Sequence, residues 1–114
     1  MIVAVDAVDF THKPNYCALQ YKKYFLRREL HKMWVGLTSG FEGGGVKKVV
    51  FTGRWGCGVF GGNEWLKFCL QWAACSISKA EMVFSHDDES TRNELRALSH
   101  NLSGRGVDDL LGLL

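Results

Sequence analysis

The sequence lacks a long hydrophobic segment, since no apolar run approaches the ~20 residues that are needed to cross a bilayer. Met1 is followed at once by a strand-like run that ends at Asp6, which is unlike the organisation of a secretory signal. We therefore expect no membrane association and a location in the nucleus or the cytoplasm.

Cysteine is sparse and is not arranged as metal ligands. Cys17, Cys57, Cys69 and Cys75 form no C-x2-C pair, and no His-x3-5-His pair accompanies them. We expect reduced thiols in an intracellular protein, with neither a metal nor a cofactor. The open alternative is thiol chemistry at Cys57, which lies between glycines near a predicted helix start, where a thiol pKa can be lowered.

Charge of either sign is not in large excess. The chain carries 14 Lys and Arg against 12 Asp and Glu, a net charge of +2. That balance is too small to indicate a direct nucleic-acid site, although it is compatible with a polyanionic ligand.

The sequence does have the composition of a small globular domain. Its 114 residues are 46% hydrophobic and 23% charged, which disfavours disorder. A chain of this length buries only about two thirds of its unfolded surface, so we expect residues 1–114 to form a single domain.

Alternating short apolar runs and helical patterns predict an α/β fold with parallel strands. The predicted strands are Ile2–Ala7, Val46–Thr52 and Met82–Ser85, and the predicted helices are Cys17–Val35, Glu64–Lys79, Thr91–Leu98 and Val107–Leu114. Gly36 suits the end of the first helix, and Ser90 or Asp88 suits the start of the third. The only proline, Pro14, falls in a predicted loop.

Two of these helices have unusual faces. The first carries a basic cluster that is either a solvated face or a surface that attracts a polymer of phosphates: Lys22, Lys23, Arg27, Arg28 and Lys32.

The helix from Glu64 is apolar nearly all round, with Lys67 and Gln71 as a polar stripe. Such a helix is buried on more than one side, which indicates a partner or a missing portion of the domain.

A glycine-rich stretch stands between the second strand and the apolar helix. It reads Gly53-Arg54-Trp55-Gly56-Cys57-Gly58-Val59-Phe60-Gly61-Gly62. Glycines at such a junction permit positive φ and expose backbone amides, and a following helix N-terminus favours an anion such as a diphosphate. The stretch matches neither the dinucleotide fingerprint nor the Walker pattern. The alternative is a tight turn whose glycines permit close packing of the helix on the strand.

That stretch resembles the G-N-W-G-C-G-A-F-G-G loop of poly(ADP-ribose) glycohydrolases, whose catalytic domain is an elaborated macrodomain. Four other segments are similar to the same family in the same order: Ile2–Ala7, Arg27-Arg28-Glu29-Leu30-His31-Lys32, Leu66-Lys67, and Gly106-Val107-Asp108-Asp109-Leu110-Leu111. The resemblance implies the C-terminal half of that domain. The expected fold is a partial three-layer α/β/α macrodomain with a short, mainly parallel sheet.

The resemblance also implies a ligand and its contacts. Backbone amides of Gly53, Arg54, Trp55, Gly56, Cys57, Gly58, Val59, Phe60 and Gly61 would hold the diphosphate of ADP-ribose or poly(ADP-ribose). Phe60 would pack near the distal ribose, and either His86 or Phe84 would lie near adenine. Arg54 stands where the family has Asn, so a fixed cation replaces a neutral donor.

The family's catalytic signature is a triple glycine followed by Gln-Glu-Glu, whose last glutamate is the general acid. Gly43-Gly44-Gly45 is present, but no Glu-Glu or Gln-Glu pair occurs in the sequence. No catalytic residue is therefore assigned. Hydrolysis of ribose-ribose bonds would need the acid from a missing N-terminal half or a second chain. The alternatives are a non-catalytic ADP-ribose reader or decoy, and a structural remnant that forms an interface through the helix around Trp65 and Trp72.

Overall fold

Two parallel strands and four helices make up the described part of the fold. The computed structural model describes residues 4–11, 13, 15–40, 48–57, 60–102 and 104. The elements in chain order are α1 (Tyr16–Leu19), α2 (Lys23–Gly40), β1 (Lys48–Thr52), α3 (Glu64–Ile77), β2 (Ala80–Phe84) and α4 (Glu89–Leu102).

The sheet places the glycine-rich stretch at its carboxyl edge. β1 and β2 pair in parallel, with Lys48 opposite Ala80 and Thr52 opposite Phe84. Parallel strands cannot be joined by a tight turn, so a crossover must connect them, and α3 lies within it. β1 therefore leads directly into the glycines at the edge where open α/β sheets bind ligands.

Helix α3 is the centre of the core. Its Cys75 packs with Leu37 of α2, and its Ala73 packs with Leu102 of α4. Ala73 itself is fully buried. The helix is buried on several sides because α2, α4 and β2 all contact it, as its nearly continuous apolar sequence predicted.

The two faces of the sheet are in different environments. Val50 and Met82 pack against the cluster formed by α2 and α3. Strand alternation turns Phe51 and Val83 to the opposite face, where their exposed fractions are 78% and 38%. The described helices thus form a layer on one face of the sheet. The helical layer that is expected on the other face is not among the described residues.

The prediction of one helix over Cys17–Val35 is wrong in two respects. Backbone bonds from Tyr21 N to Ala18 O and from Lys22 N to Leu19 O tighten the chain and end α1 before α2 begins. Gly36 does not end the second helix, which continues to Gly40. Leu37 lies in the next turn and is buried against α3, and this packing outweighs the weak helix preference of glycine.

The predicted first strand is also wrong in its described part. Residues 4–10 lie outside both strands. Two of their backbone groups are bonded to side chains instead: Val5 O accepts from the indole of Trp55, and Val8 N donates to Glu29. Phe10 N donates to Phe60 O in the glycine-rich stretch.

The other elements agree with their predictions to within a few residues, except that α4 is longer than predicted at both ends. Asp88 caps α4, because its carboxylate accepts hydrogen bonds from the backbone N and the hydroxyl of Thr91 at 2.9 and 2.7 Å. The predicted helix Val107–Leu114 lies outside the described residues. Within the described part of the chain, no helix is both long and apolar enough to span a membrane.

Candidate functional site

The stretch from Gly53 to Gly62, hereafter the glycine loop, folds back on itself through short-range backbone bonds. Trp55 N donates to Gly53 O at 2.8 Å, and Cys57 N donates to Arg54 O at 3.1 Å. Gly62 N closes the loop on Gly56 O at 2.8 Å. The predicted amide contacts of Gly58 and Val59 lie outside the described residues.

Two of the glycines are required by the loop's own geometry. Gly56 has φ 70°, and a Cβ there would lie 2.7 Å from Ala7 Cβ. A Cβ on Gly62 would lie 2.5 Å from Gly56 O, closer than real Cβ atoms come to a backbone atom. Close packing therefore accounts for these two positions, and it is compatible with a ligand on the outer side of the loop.

The Trp55 side chain packs against the protein interior. Its Nε1 donates to Val5 O at 2.9 Å, and its ring centroid lies 4.3 Å from Lys67 Nζ. The side chain is half-buried. Trp55 thereby fastens the loop to the segment of residues 4–10.

Lys67 and Glu29 form a buried ion pair beneath the loop. Their exposed fractions are 1% and 2%, and Lys67 Nζ lies 3.2 Å from Glu29 Oε2. Lys67 and Gln71, the two residues of the polar stripe noted in the sequence of this helix, are both buried. Burial lowers the pKa of Lys67 from its usual value, and the Glu29 carboxylate opposes that shift.

Gln20 and Gln71 hold the two ends of the loop. The Gln20 amide donates to Gly61 O at 3.2 Å and accepts from Asn63 N at 2.7 Å. Gln71 Nε2 donates to Gly53 O at 3.1 Å, and its Oε1 accepts from the Thr52 hydroxyl at 2.5 Å. Both loop ends are therefore tied to buried side chains.

The helix that follows the loop begins with a side-chain cap. Asn63 Oδ1 accepts from Leu66 N at 3.0 Å, which satisfies one of the open amides of the first turn of α3. The positive end of the α3 dipole lies next to the loop, as the sequence predicted for an anion site.

Charged side chains join the loop to the end of β2. Arg54 Nε lies 2.6 Å from Glu64 Oε1, and His86 Nε2 lies 3.1 Å from Glu64 Oε2. Asp88 N donates to His86 Nδ1, so the imidazole proton is on Nε2 and is donated to Glu64. Arg54 and His86, two of the predicted ligand contacts, thus meet at one carboxylate.

The group of Arg54, Glu64 and His86 is hereafter called the rim. The residues predicted to contact ribose and adenine belong to the loop, in the case of Phe60, and to the end of β2, in the case of Phe84 and His86. Phe60 is an exposed aromatic ring of the loop, and Phe84 is half-buried with its ring edge-on to Phe68 at 5.1 Å between centroids. The His86 imidazole is held at both nitrogens. Their roles toward a ligand remain predictions, and Phe60 presents the most accessible ring of the three.

Comparison with known proteins assigns the chain to a family. Residues 1–93 match the family described as "Poly (ADP-ribose) glycohydrolase (PARG), Macro domain fold". This chain belongs to the poly(ADP-ribose) glycohydrolase family. The α/β class and the macrodomain relationship expected from the sequence are confirmed.

Curated relatives agree with that membership. Over 84 residues, the chain is 43% identical to poly(ADP-ribose) glycohydrolase 2 of Caenorhabditis elegans, and the match covers 72% of this chain and 17% of the relative. It is 32% identical to poly(ADP-ribose) glycohydrolase 1 of the same organism, over 72% of this chain and 10% of the relative. A 33-residue match at 64% identity links it to the probable poly(ADP-ribose) glycohydrolase 2 of Arabidopsis thaliana, over 28% of this chain and 6% of the relative. The chain thus spans less than a fifth of the length of these relatives.

The structure argues against thiol chemistry at Cys57 in this glycohydrolase-family chain. Burial raises the pKa of the Cys57 thiol to about 11, although nearby Lys67 opposes the shift. A buried thiol with a raised pKa is a poor nucleophile. Within the described residues no cluster of three or more His, Cys, Asp or Glu side chains could hold a metal ion.

Sequence reasoning missed the polar residues that hold the loop. Gln20 and Glu29 received no role, and Lys67 and Gln71 were noted only as a polar stripe on the apolar helix. A signal existed for two of them, because polar residues at four-residue spacing in an otherwise apolar buried helix must be paired inside the protein. The sequence did not indicate Glu29, since it lies within the basic cluster of α2.

Proposed function

We propose that this chain forms the ADP-ribose-binding part of a poly(ADP-ribose) glycohydrolase, with the diphosphate held at the glycine loop. The observation that carries the proposal is the family match over residues 1–93, which includes the whole loop. The ligand would be poly(ADP-ribose) or ADP-ribose itself.

The geometry of the loop supports an anionic ligand. The loop lies between the carboxyl end of β1 and the N-terminus of α3, where backbone amides and the helix dipole favour a phosphate. Arg54 adds an exposed cation at the rim. Arg54 is paired with Glu64, so binding of a diphosphate near Arg54 would compete with that carboxylate.

We further propose that the general acid comes from another segment or chain. Cleavage of a glycosidic bond needs a carboxylic acid that protonates the leaving oxygen. Glu64 is the described carboxylate nearest the loop, but it is bound by Arg54 on one oxygen and by His86 on the other. We therefore assign Glu64 the role of holding Arg54 and His86 in place. The role that we assign to this chain is ligand binding.

The first test is calorimetric titration of the purified chain with ADP-ribose, with ADP and ribose-5-phosphate as controls. Gly56→Ala adds a Cβ against Ala7 and Lys67, whereas Gly104→Ala adds one at a similar positive φ with no atom within 4 Å. We expect ADP-ribose to bind the wild type and Gly104→Ala, and to bind Gly56→Ala much more weakly. A folded wild-type chain without affinity for ADP-ribose would refute the proposal, as would unchanged binding by Gly56→Ala.

A second test concerns the source of the acid. Labelled poly(ADP-ribose) is incubated with the chain alone and with the chain mixed with a family segment that carries Gln-Glu-Glu. We expect release of ADP-ribose from the mixture only. Release by the chain alone would show that its own residues supply the acid. No release from a mixture in which the two pieces demonstrably associate would contradict a divided site.

A further inference from the structure

The buried ion pair between Lys67 and Glu29 has no role in the binding function proposed above. Charged side chains are almost never this deeply buried unless they are paired, because their desolvation is costly. Lys67 Nζ lies 3.2 Å from Glu29 Oε2, and in the described residues neither atom has another hydrogen-bonding partner, so the two charges compensate each other. A well-packed apolar pair would fill the same space at less cost, so the location of the charges needs a separate explanation.

Lys67 lies against both ends of the turn that closes the glycine loop. Its Nζ lies 3.2 Å from the position that a Cβ on Gly56 would take, and its Cε lies 3.0 Å from the corresponding position on Gly62. Gly56 and Gly62 are the two residues joined by the bond from Gly62 N to Gly56 O. The ammonium also faces the ring of Trp55 at 4.3 Å, within range of a cation–π interaction. Lys67 thus lies beside three residues of the loop, Trp55, Gly56 and Gly62.

Glu29 connects the same point to the segment of residues 4–10. Its Oε1 accepts from Val8 N at 2.8 Å and from Arg28 Nη1 at 3.2 Å. That segment contacts the loop again at Val5 O, which accepts from Trp55, and at Phe10 N, which donates to Phe60 O. These contacts form a closed network. Lys67 lies beside the loop and pairs with Glu29 of α2, Glu29 bonds to the segment of residues 4–10, and that segment bonds back to the loop.

We propose that the Lys67–Glu29 pair is a positioning device that fixes the glycine loop in one conformation before a ligand binds. Lys67 fixes Trp55 and the Gly56–Gly62 closure, and Glu29 fixes the segment of residues 4–10, which bonds to Trp55 and Phe60. The pair touches no ligand. A loop ordered in advance avoids the cost of ordering it during binding, so the pair contributes to affinity without a direct contact. The part of this inference that concerns affinity rests on the proposed function.

The test uses a double variant that removes both charges and preserves shape, Lys67→Met with Glu29→Gln. Glutamine retains an oxygen that can accept from Val8 N. Leu102→Ala is the matched control, because Leu102 is buried between α3 and α4 and is not part of the network. Glu29→Gln alone is the milder variant in case the double variant does not fold.

The first readout is amide hydrogen exchange of Gly62 and Cys57, whose N–H groups bond within the loop. In the double variant we expect these amides to exchange at least about tenfold faster while amides in the middle of α4 are unaffected, because local opening is separable from global unfolding. Glu29→Gln alone should also accelerate the exchange of the loop amides, but to a smaller extent. Leu102→Ala, which removes packing between α4 and α3, should not accelerate exchange of the loop amides more than a general loss of stability does.

The second readout is the affinity for ADP-ribose, measured where each variant is fully folded. We expect the double variant to bind about tenfold more weakly, since ordering the loop then accompanies binding, and Leu102→Ala to bind as the wild type does. Unchanged loop exchange in the double variant would overturn the inference, as would equal acceleration in the loop and α4, which indicates a general loss of stability. A wild type that does not bind ADP-ribose refutes the proposed function, whereas the exchange result still decides whether the pair positions the loop.

Discussion

At the residue scale, the polar side chains at the ends of the glycine loop are explained by the backbone and hydroxyl groups to which they hydrogen-bond. Both polar atoms of the Gln20 and Gln71 amides are hydrogen-bonded to backbone or hydroxyl partners at the two ends of the loop. Buried amides of this kind are costly to leave unpaired, so each specifies one local arrangement. The loop is therefore determined by side chains from the turn between α1 and α2 and from α3 as much as by its own glycines.

Buried thiols give the first prediction at this scale. Burial raises the pKa of Cys75 to about 11 from the value of 9.0 expected in an unfolded chain. Between these values the unfolded chain loses the thiol proton while the folded chain retains it. The unfolded state then binds fewer protons, so this thiol makes the free energy of unfolding fall as pH rises above 9.

The change that isolates this effect is Cys75→Ala, which has no thiol to titrate. We expect the stability difference between wild type and Cys75→Ala to move by about 1–2 kcal/mol in favour of the variant between pH 8 and pH 10.5. Urea unfolding at the two pH values measures it. Comparison with the variant cancels the opposing titration of Lys67, which both proteins share. A difference that stays constant with pH would show that the folded thiol titrates normally.

At the scale of elements, α3 has two tasks that its sequence reveals only in part. It forms the centre of the core through its apolar residues, and its first turn faces the glycine loop. The side chain of Asn63 supports that turn by accepting from Leu66 N. The cap therefore contributes to helix stability and also fixes the end of the loop at Gly62.

Replacing this cap gives the second prediction. Asn63→Ala should lower the free energy of unfolding by about 1 kcal/mol, because the Leu66 amide loses its acceptor. Asn63→Ser is the matched control, since serine also caps helices well and should retain most of the stability. The urea midpoint measures both. Equal loss in the two variants would mean that the amide side chain matters for a reason other than capping.

At the scale of the whole molecule, the described helices cover one face of the sheet and leave the other exposed. Parallel sheets are usually buried on both faces. Phe51 and Val83 lie opposite each other in register on the uncovered face. This face accordingly contributes little to the stability of the described fold, and the core around α3 contributes most of it.

The third prediction contrasts these two regions. Phe51→Ser should change the free energy of unfolding by no more than about 0.5 kcal/mol, because the ring is already solvated in the folded chain. Leu70→Ala, in the fully buried part of α3, should cost about 2–5 kcal/mol. Urea unfolding of the chain measures both changes in the free energy of unfolding. A large loss on Phe51→Ser would show that part of this chain covers the ring.

The sequence by itself determined the α/β class, the glycine loop and the family. These follow from local signals: a continuous apolar run predicts a buried strand, a glycine cluster predicts an unusual backbone, and the loop motif carries the resemblance. The apolar pattern beginning at Glu64 likewise predicted α3 and its burial on several sides. Each of these signals is contained within about ten to fifteen neighbouring residues.

Only the tertiary structure decided how the loop is held. The side chain of Glu29 contacts Val8 and Lys67, which are 21 and 38 positions away, and Trp55 bonds to Val5 across 50 positions. The continuation of α2 past Gly36 and the failure of residues 4–7 to form a strand have the same origin. In each case a distant contact outweighs the local preference, because burial and hydrogen bonding are satisfied by whatever the fold brings close.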